Sequence, residues 1–270
     1  MVTINSNYPA SFAANAAKQT QGDLNSAMET LSTGKRINFA KDDAAGSAIA
    51  MRIAAEISGL GVASRNASDG QSLIDTADGA LKETHSVLLR MRELAVQAQN
   101  GTLQTADVTA LGVEFDALES EIDRIATSTT WGGKAIIDGS MSGTGALTIE
   151  VGAAADITHV IKNARATSLG LVAGNTVGAN STISKVDAAI AALSQERAGL
   201  GAISNRLDST VANLDQIRVN LSASQGRIED TDFATETANL AKGQILQQAA
   251  TAMVAQANAS KSTVLTLIQS

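Results

Sequence analysis

Apolar and small residues recur at alternating steps of three and four from residue 60 to residue 98. The series is Leu60, Ala63, Ala67, Gly70, Ile74, Ala77, Leu81, Thr84, Leu88, Met91, Ala95 and Ala98. Such spacing averages about 3.5 residues, the period of a coiled-coil seam. Arg65, Asp69, Lys82, Arg90, Arg92 and Glu93 lie off it. A helix over this stretch would be roughly 60 Å long at 1.5 Å per residue and could not bury its stripe alone. It needs partner helices, and the remaining periodic stretches are the candidates.

From Ser11 a thinner stripe runs through Ala13, Ala17, Thr20, Leu24, Ala27 and Leu31, and Gly34 ends it. Asn38 to Asp43 read as a loop, with Asp42 or Asp43 placed to cap the long helix that starts near Ala44. Asn100-Gly101 closes that helix. A further helix from about Gln104 to Thr127 carries Val108, Leu111, Phe115, Leu118, Ile122 and Ile125 on one face. The short connection predicts an antiparallel hairpin of helices.

Short β-like runs follow at Lys134 to Ile137, Ala146 to Val151 and Ile157 to Ile161, punctuated by glycine and serine. Residues 171–181 read as an exposed connection. Helical spacing returns from Thr182 to about Ser224 through Ile183, Val186, Ile190, Leu193, Leu200, Ile203, Leu207, Leu214, Ile217 and Leu221. Gly226, Glu229, Asp230 and Asp232 mark a break. A last helix, about Thr235 to Leu267, has the stripe Leu246, Ala249, Met253, Ala257, Ser260, Val264 and Leu267.

These elements predict a mainly α fold: a long-helix antiparallel bundle or coiled coil with a small β-hairpin region at about 131–165. The organisation is nearly palindromic. Residues 1–40 and 233–270 are expected to lie side by side as a discontinuous domain of terminal helices, too weak to fold alone and disordered in a monomer. Residues 41–232 are expected to form a rod whose core includes Leu60, Ile74, Leu81, Leu88, Met91, Phe115, Leu118, Leu207 and Leu214.

Composition sharpens this picture. Hydrophobic residues make up 44% of the 270, yet only 2% are aromatic. Small aliphatic side chains suit closely approaching helices. The one proline is Pro9, so the helices lack breakers. A net charge of −7 argues against a nucleic-acid partner. With no cysteine, disulfides and thiolate metal sites are excluded. The first basic side chain is Lys18 and no apolar leader precedes a cleavage site, so no signal peptide is expected. No uninterrupted apolar run approaches about 18 residues, so no membrane span is expected.

Candidate chemistry is sparse. The two histidines, His85 and His159, have no Glu three residues before them, so no catalytic or metal role is expected for either and no cofactor. Gly59-Leu60-Gly61 and Gly199-Leu200-Gly201 lack the third glycine of a dinucleotide motif and read as close-packing positions in helices. Asp42-Asp43 and Glu229-Asp230-Asp232 read as caps and solvated loops rather than cation ligands. The terminal stripes lack the aromatic face of membrane-surface helices, and packing between chains accounts for them better.

Several long motifs resemble those of bacterial flagellins. They are LSTGKRINFAKDDAAGSAIAMR from Leu31, LLRMRELAVQAQNGT from Leu88, GLGAISNRLDSTVANL from Gly199, QGRIEDTDFATETANLAKGQILQQA from Gln225 and AQANASKSTVLTLI from Ala255. They lie in order and span most of residues 20–137 and 183–268. The resemblance implies a non-enzymatic subunit that polymerises with itself into the flagellar filament for swimming. Self-assembly would rest on the terminal helices through Ala13, Ala17, Leu24, Ala27, Leu31, Leu246, Ala249, Met253, Val264 and Leu267. It further implies secretion through the flagellar export channel without a cleaved signal. The partners implied are an export chaperone, a filament cap and hook-associated proteins. The mid-chain surface domains of many flagellins are missing, so a smooth, minimal filament is expected.

Two other readings are a hook–filament junction protein, which shares the end helices, and a helical-bundle enzyme. The central rod motifs speak against the first and the missing ligand sets against the second. Arg90, Leu94 and Glu114 match residues of the face that a vertebrate Toll-like receptor reads in the family, and Leu89 lies on the same face. The position before the arginine usually holds glutamine there, so Leu89 implies weak recognition.

Overall fold

The computed structural model describes residues 6–140, 147–151, 156–171 and 177–269, with side chains described as far as Lys261. Five helices carry the fold: α1 (Tyr8–Thr33), α2 (Ala44–Ala98), α3 (Thr105–Ser128), α4 (Asn180–Glu229) and α5 (Phe233–Gln269). Among the described residues, four short strands lie between α3 and α4: β1 (Thr130–Trp131), β2 (Lys134–Ala135), β3 (Leu147–Ile149) and β4 (Ile157–His159). The expected mainly α architecture with small hairpins is what the chain adopts. Residues 172–176 of the expected connection, and Ala146 at the head of one β run, lie outside the described residues.

The chain divides into two compact units. One joins Met1–Glu56 to Asn220–Ser270, and the other is Ile57–Val219. The divisions fall inside α2 and α4 rather than at the loops near residues 40 and 232.

In the Ile57–Val219 unit, α3 doubles back on α2, and Arg90 donates to Glu114 across the pair at 2.8 Å. The α4 segment runs antiparallel to α2. Arg92–Asp187 (2.6 Å), Arg197–Asp78 (2.7 Å) and Gln71–Asp208 (2.8 Å) step in opposite directions along the two helices. Between them Ile74, Leu81, Leu88, Met91, Phe115, Ile122, Leu200 and Leu207 are fully or almost fully buried. Leu214 is buried too, whereas Leu60 and Leu118 are only half-buried. Leu60 sits at the start of the seam, and Leu118 at the margin of the α3 face.

The hairpins close one side of this core. Gly132 and Gly133, at φ 57° and 81°, form the two-residue turn joining β1 to β2. Positive φ at both turn positions matches the twist of the flanking strands and is cheap only for glycine. In the second hairpin Ile149 pairs with Ile157, and both point inward.

Gly70 explains why a glycine interrupts the seam of α2. A Cβ there would overlap Ile149 Cδ1 and come within 2.9 Å of its Cγ1. The helix forgoes about 1 kcal/mol of propensity so that β3 can lie against it. Gly70→Val should therefore destabilise this unit by about 1–3 kcal/mol through overpacking. Urea unfolding checks this, and an unchanged midpoint would count against the packing account.

In the other unit, α1 starts at an Asn7 cap and ends at Gly34, whose φ is 72° and whose backbone N–H donates to Thr30 O at 2.9 Å. It packs antiparallel on α5. Asn7 donates to Asn258 (3.2 Å), Gln247 to Gln21 (3.1 Å) and Lys261 to the Ser6 carbonyl (3.0 Å). The loop after α1 is stitched to the end of α4. Arg36 donates to Glu229 O (2.5 Å) and Ile228 O (2.7 Å), and Lys35 pairs with Glu229 at 3.0 Å. The expected break at Gly226 falls later: α4 continues to Glu229, and the chain turns at Asp230–Asp232.

Candidate assembly site

The acidic pairs act as caps. Asp43 accepts from Gly46 N at 2.9 Å, and Asp42 accepts from Phe39 N at 2.9 Å and Asn38 N at 3.1 Å. Asp232 accepts from Ala234 N and from the Thr235 hydroxyl, both at 2.9 Å. The Thr235 hydroxyl, then the two backbone amides, hold the Asp232 carboxyl below the usual carboxylate range. That cap is therefore complete above the ordinary carboxyl pKa and fades only as pH falls through the depressed one.

The structure corrects the reading of the Gly-Leu-Gly pairs. Gly59, Gly61 and Gly201 have nothing within 4 Å of an added Cβ, and only Gly199 packs closely, against the His159 ring at 3.4 Å. Gly59 and Gly201 are exposed and Gly61 is half-buried with nothing against it, so close packing accounts for none of these three. His159 itself belongs to a pair that the sequence did not reveal. Its Nε2 lies 3.1 Å from Oε1 of the buried Glu196, which also accepts from Lys162 N at 3.2 Å. The partners are 37 positions apart, on β4 and α4, so no local spacing could disclose them. The carboxylate fastens the second hairpin to α4, which is a structural task.

The terminal helices divide the expected assembly residues between two environments. On α1, Ala13 and Ala27 are buried, and Ala17, Leu24 and Leu31 are half-buried. This stripe is the face that meets α5 within the chain. On α5, Leu246, Ala249 and Met253 are exposed instead. The α5 face turned inward is Leu240, Gly243, Gln247, Ala250, Val254, Ala257 and Lys261, each buried or half-buried. Gly243 meets α1 on this face, where a Cβ would make ordinary contact with Leu24 Cβ at 3.6 Å. The side chains of Val264 and Leu267 lie outside the described residues.

Exposed apolar side chains collect in the terminal unit: Tyr8, Phe12, Met28, Phe39, Ile49, Met51, Phe233, Ile245, Leu246 and Met253. Its buried hydrophobic residues, among those described, are Ala13, Ala27, Ile37 and Ala50. An 18-residue window of α2 has a mean hydropathy of 1.2 with 11% of it buried. By length and composition it is apolar enough to cross a membrane, although charged residues interrupt every long apolar run.

Of the expected receptor-face residues, Leu89 is 44% exposed, and Arg90 and Glu114 are exposed and hydrogen-bonded to each other, with Glu93 also on Arg90 at 3.1 Å. Leu94 is a correction. It is fully buried in the core beside the Met91–Ala95 seam and presents nothing to a receptor. The buried face of α2 is wider than one seam because α3, α4 and a hairpin all pack on it.

The fold is a long-helix bundle whose N- and C-terminal helices pair and leave apolar faces uncovered, as in proteins that build larger assemblies. Comparison with known proteins specifies the class. Residues 4–142 match the model of the bacterial flagellin N-terminal helical region, and residues 183–268 match that of the C-terminal helical region. The flagellin of Halalkalibacterium halodurans is 43% identical over 98% of this chain and 99% of its own length. The flagellin of Bacillus subtilis strain 168 is 39% identical over 90% and 91%. Among solved structures, a putative flagellar hook-associated protein from Vibrio parahaemolyticus shares the fold. Its TM-score is 0.58 at 14% identity, covering 70% of this chain and all of that one.

The chain belongs to the bacterial flagellin family. It is a structural subunit of the flagellar filament, a helical polymer outside the cell.

Proposed function

We propose that the terminal unit drives polymerisation by having its uncovered faces completed by neighbouring copies. One observation carries this: among its described residues the unit buries little of its own apolar surface yet exposes ten large hydrophobic side chains. A segment that cannot offset its ordering entropy alone gains order on binding, and association then becomes steeply cooperative. The apolar window of α2 has the same use, as a surface for partner helices rather than for lipid.

Export through the flagellar channel without a cleaved signal fits a chain whose ends hold little core. An export chaperone that covers the α5 face before assembly, a filament cap and hook-associated proteins complete the set of partners. The protein's work is structural rather than enzymatic. Seeded elongation of purified protein, viewed by electron microscopy, tests the reading. Long filaments are expected, and monomer that never elongates on seeds would overturn it.

Recognition by the Toll-like receptor is expected to be weak, with Leu89, Arg90 and Glu114 as the exposed contacts and Leu94 acting only through packing. Leucine at 89 supplies no hydrogen-bonding group, and a partner left buried and unpaired loses about 1–3 kcal/mol. A reporter-cell dose response should show Leu89→Gln monomer more potent than its parent. Equal potency would remove Leu89 as the cause.

A further inference from the structure

The chain has no cysteine, so its oxidisable sulfur resides in six methionines. Met1 and Met141 lie outside the described residues, and Met91 is fully buried in the core of the Ile57–Val219 unit. The other three are exposed, Met28 by 46% and Met51 and Met253 by 63% each, and all three belong to the terminal unit. Met253 continues the uncovered α5 stripe of Leu246 and Ala249 at steps of three and four, and Met51 stands beside exposed Ile49 on α2.

We propose that Met253, with Met51 and Met28, is a site of reversible oxidation that controls competence to assemble. The inference rests on the reading that neighbouring copies cover these faces. Hydrogen peroxide supplies the oxygen. A sulfur lone pair attacks one peroxide oxygen, the O–O bond breaks as the S–O bond forms, and the departing hydroxide takes the proton from the transferred oxygen and leaves as water. The thioether is oxidised by two electrons and the peroxide is reduced by two. The product is a polar, chiral sulfoxide where an apolar, adaptable side chain stood. Free subunits present these sulfurs to solvent, while polymerised subunits shield them. Oxidant therefore stops growth at the level of the subunit and spares finished filament.

The test uses the full-length protein. Monomer and preformed filament are treated with hydrogen peroxide, the oxidant is removed, and oxygen uptake is mapped by peptide mass spectrometry. Seeded elongation is then measured. Oxidised monomer should show a critical concentration raised about tenfold for each methionine that an interface would bury. Methionine sulfoxide reductase should restore it. Met253 should take up oxygen several-fold more slowly in filament than in monomer, while Met91 stays unmodified in both. For the triple variant Met28→Leu, Met51→Leu, Met253→Leu, the critical concentration should be the same before and after peroxide, whatever its starting value. Sulfoxide at Met253 with undiminished elongation would overturn the inference, as would equal uptake in monomer and filament. Failure of the untreated parent to elongate would instead overturn the assembly reading, and this inference with it.

Discussion

A fragment of residues 57–219 is expected to fold and never to form filaments. The buried hydrophobic cluster that includes Ile74, Leu81, Leu88, Met91, Phe115, Ile122, Leu200 and Leu207 lies entirely within it. The described residues of the terminal unit bury three alanines and Ile37. Burying one isoleucine contributes about 1.5–3 kcal/mol. Ordering even a dozen helical residues costs more than that, at about 1–2 kcal/mol each before helix hydrogen bonds are counted. The clasp of Arg36 on Glu229 and Ile228 is largely exposed and adds little. The fragment should therefore show helical circular dichroism and a single cooperative melt close to that of the full-length monomer. The longer fragment 39–232 should behave the same way. Filaments grown from either fragment would show that the terminal helices are dispensable. A fragment that failed to melt cooperatively would show that the core needs them.

How far this was legible in the sequence depends on the range over which each feature acts. The seam through Ile74, Leu81, Leu88 and Met91 is a local periodicity, and each of these residues is buried. Caps are equally local, and Asp43 and Asp232 do what their positions suggest. Features that depend on which partner a face meets were not legible. Leu73 and Leu94 lie off the seam yet are buried, because several elements crowd α2. The stripe of α5 has two nearly equivalent solutions at the same spacing, and the chain buries the one through Leu240, Gly243 and Gln247, which leaves Leu246 outside. Gly70 is a small residue on the seam, but what requires glycine there is Ile149, 79 positions later, which no local spacing shows. The Glu196–His159 pair leaves no trace in spacing. The signal that could have drawn attention to it is a glutamate, Glu196, between Leu193 and Leu200 on an apolar stripe.

The same division predicts opposite results for two leucines. Leu88 is fully enclosed in the core, and Leu88→Ala should cost the monomer about 2–5 kcal/mol through lost transfer energy and the residual cavity. Its melting temperature should fall accordingly, and filaments should be affected only through the reduced supply of folded subunits. Leu246 is 46% exposed in the subunit and faces away from the inward stripe of α5. Leu246→Ala should leave the monomer melt unchanged within a few tenths of a kcal/mol, since surface changes away from packed features rarely exceed about 0.5 kcal/mol. If a neighbouring copy covers this face, the variant forgoes about 1–2 kcal/mol of apolar burial on assembly. That corresponds to a critical concentration higher by about tenfold. Calorimetry of the monomers and light scattering of seeded growth separate the two effects. Equal depression of both melts would mean that Leu246 contributes to the subunit's own stability. An unchanged critical concentration for Leu246→Ala would place the filament contact on another face of α5.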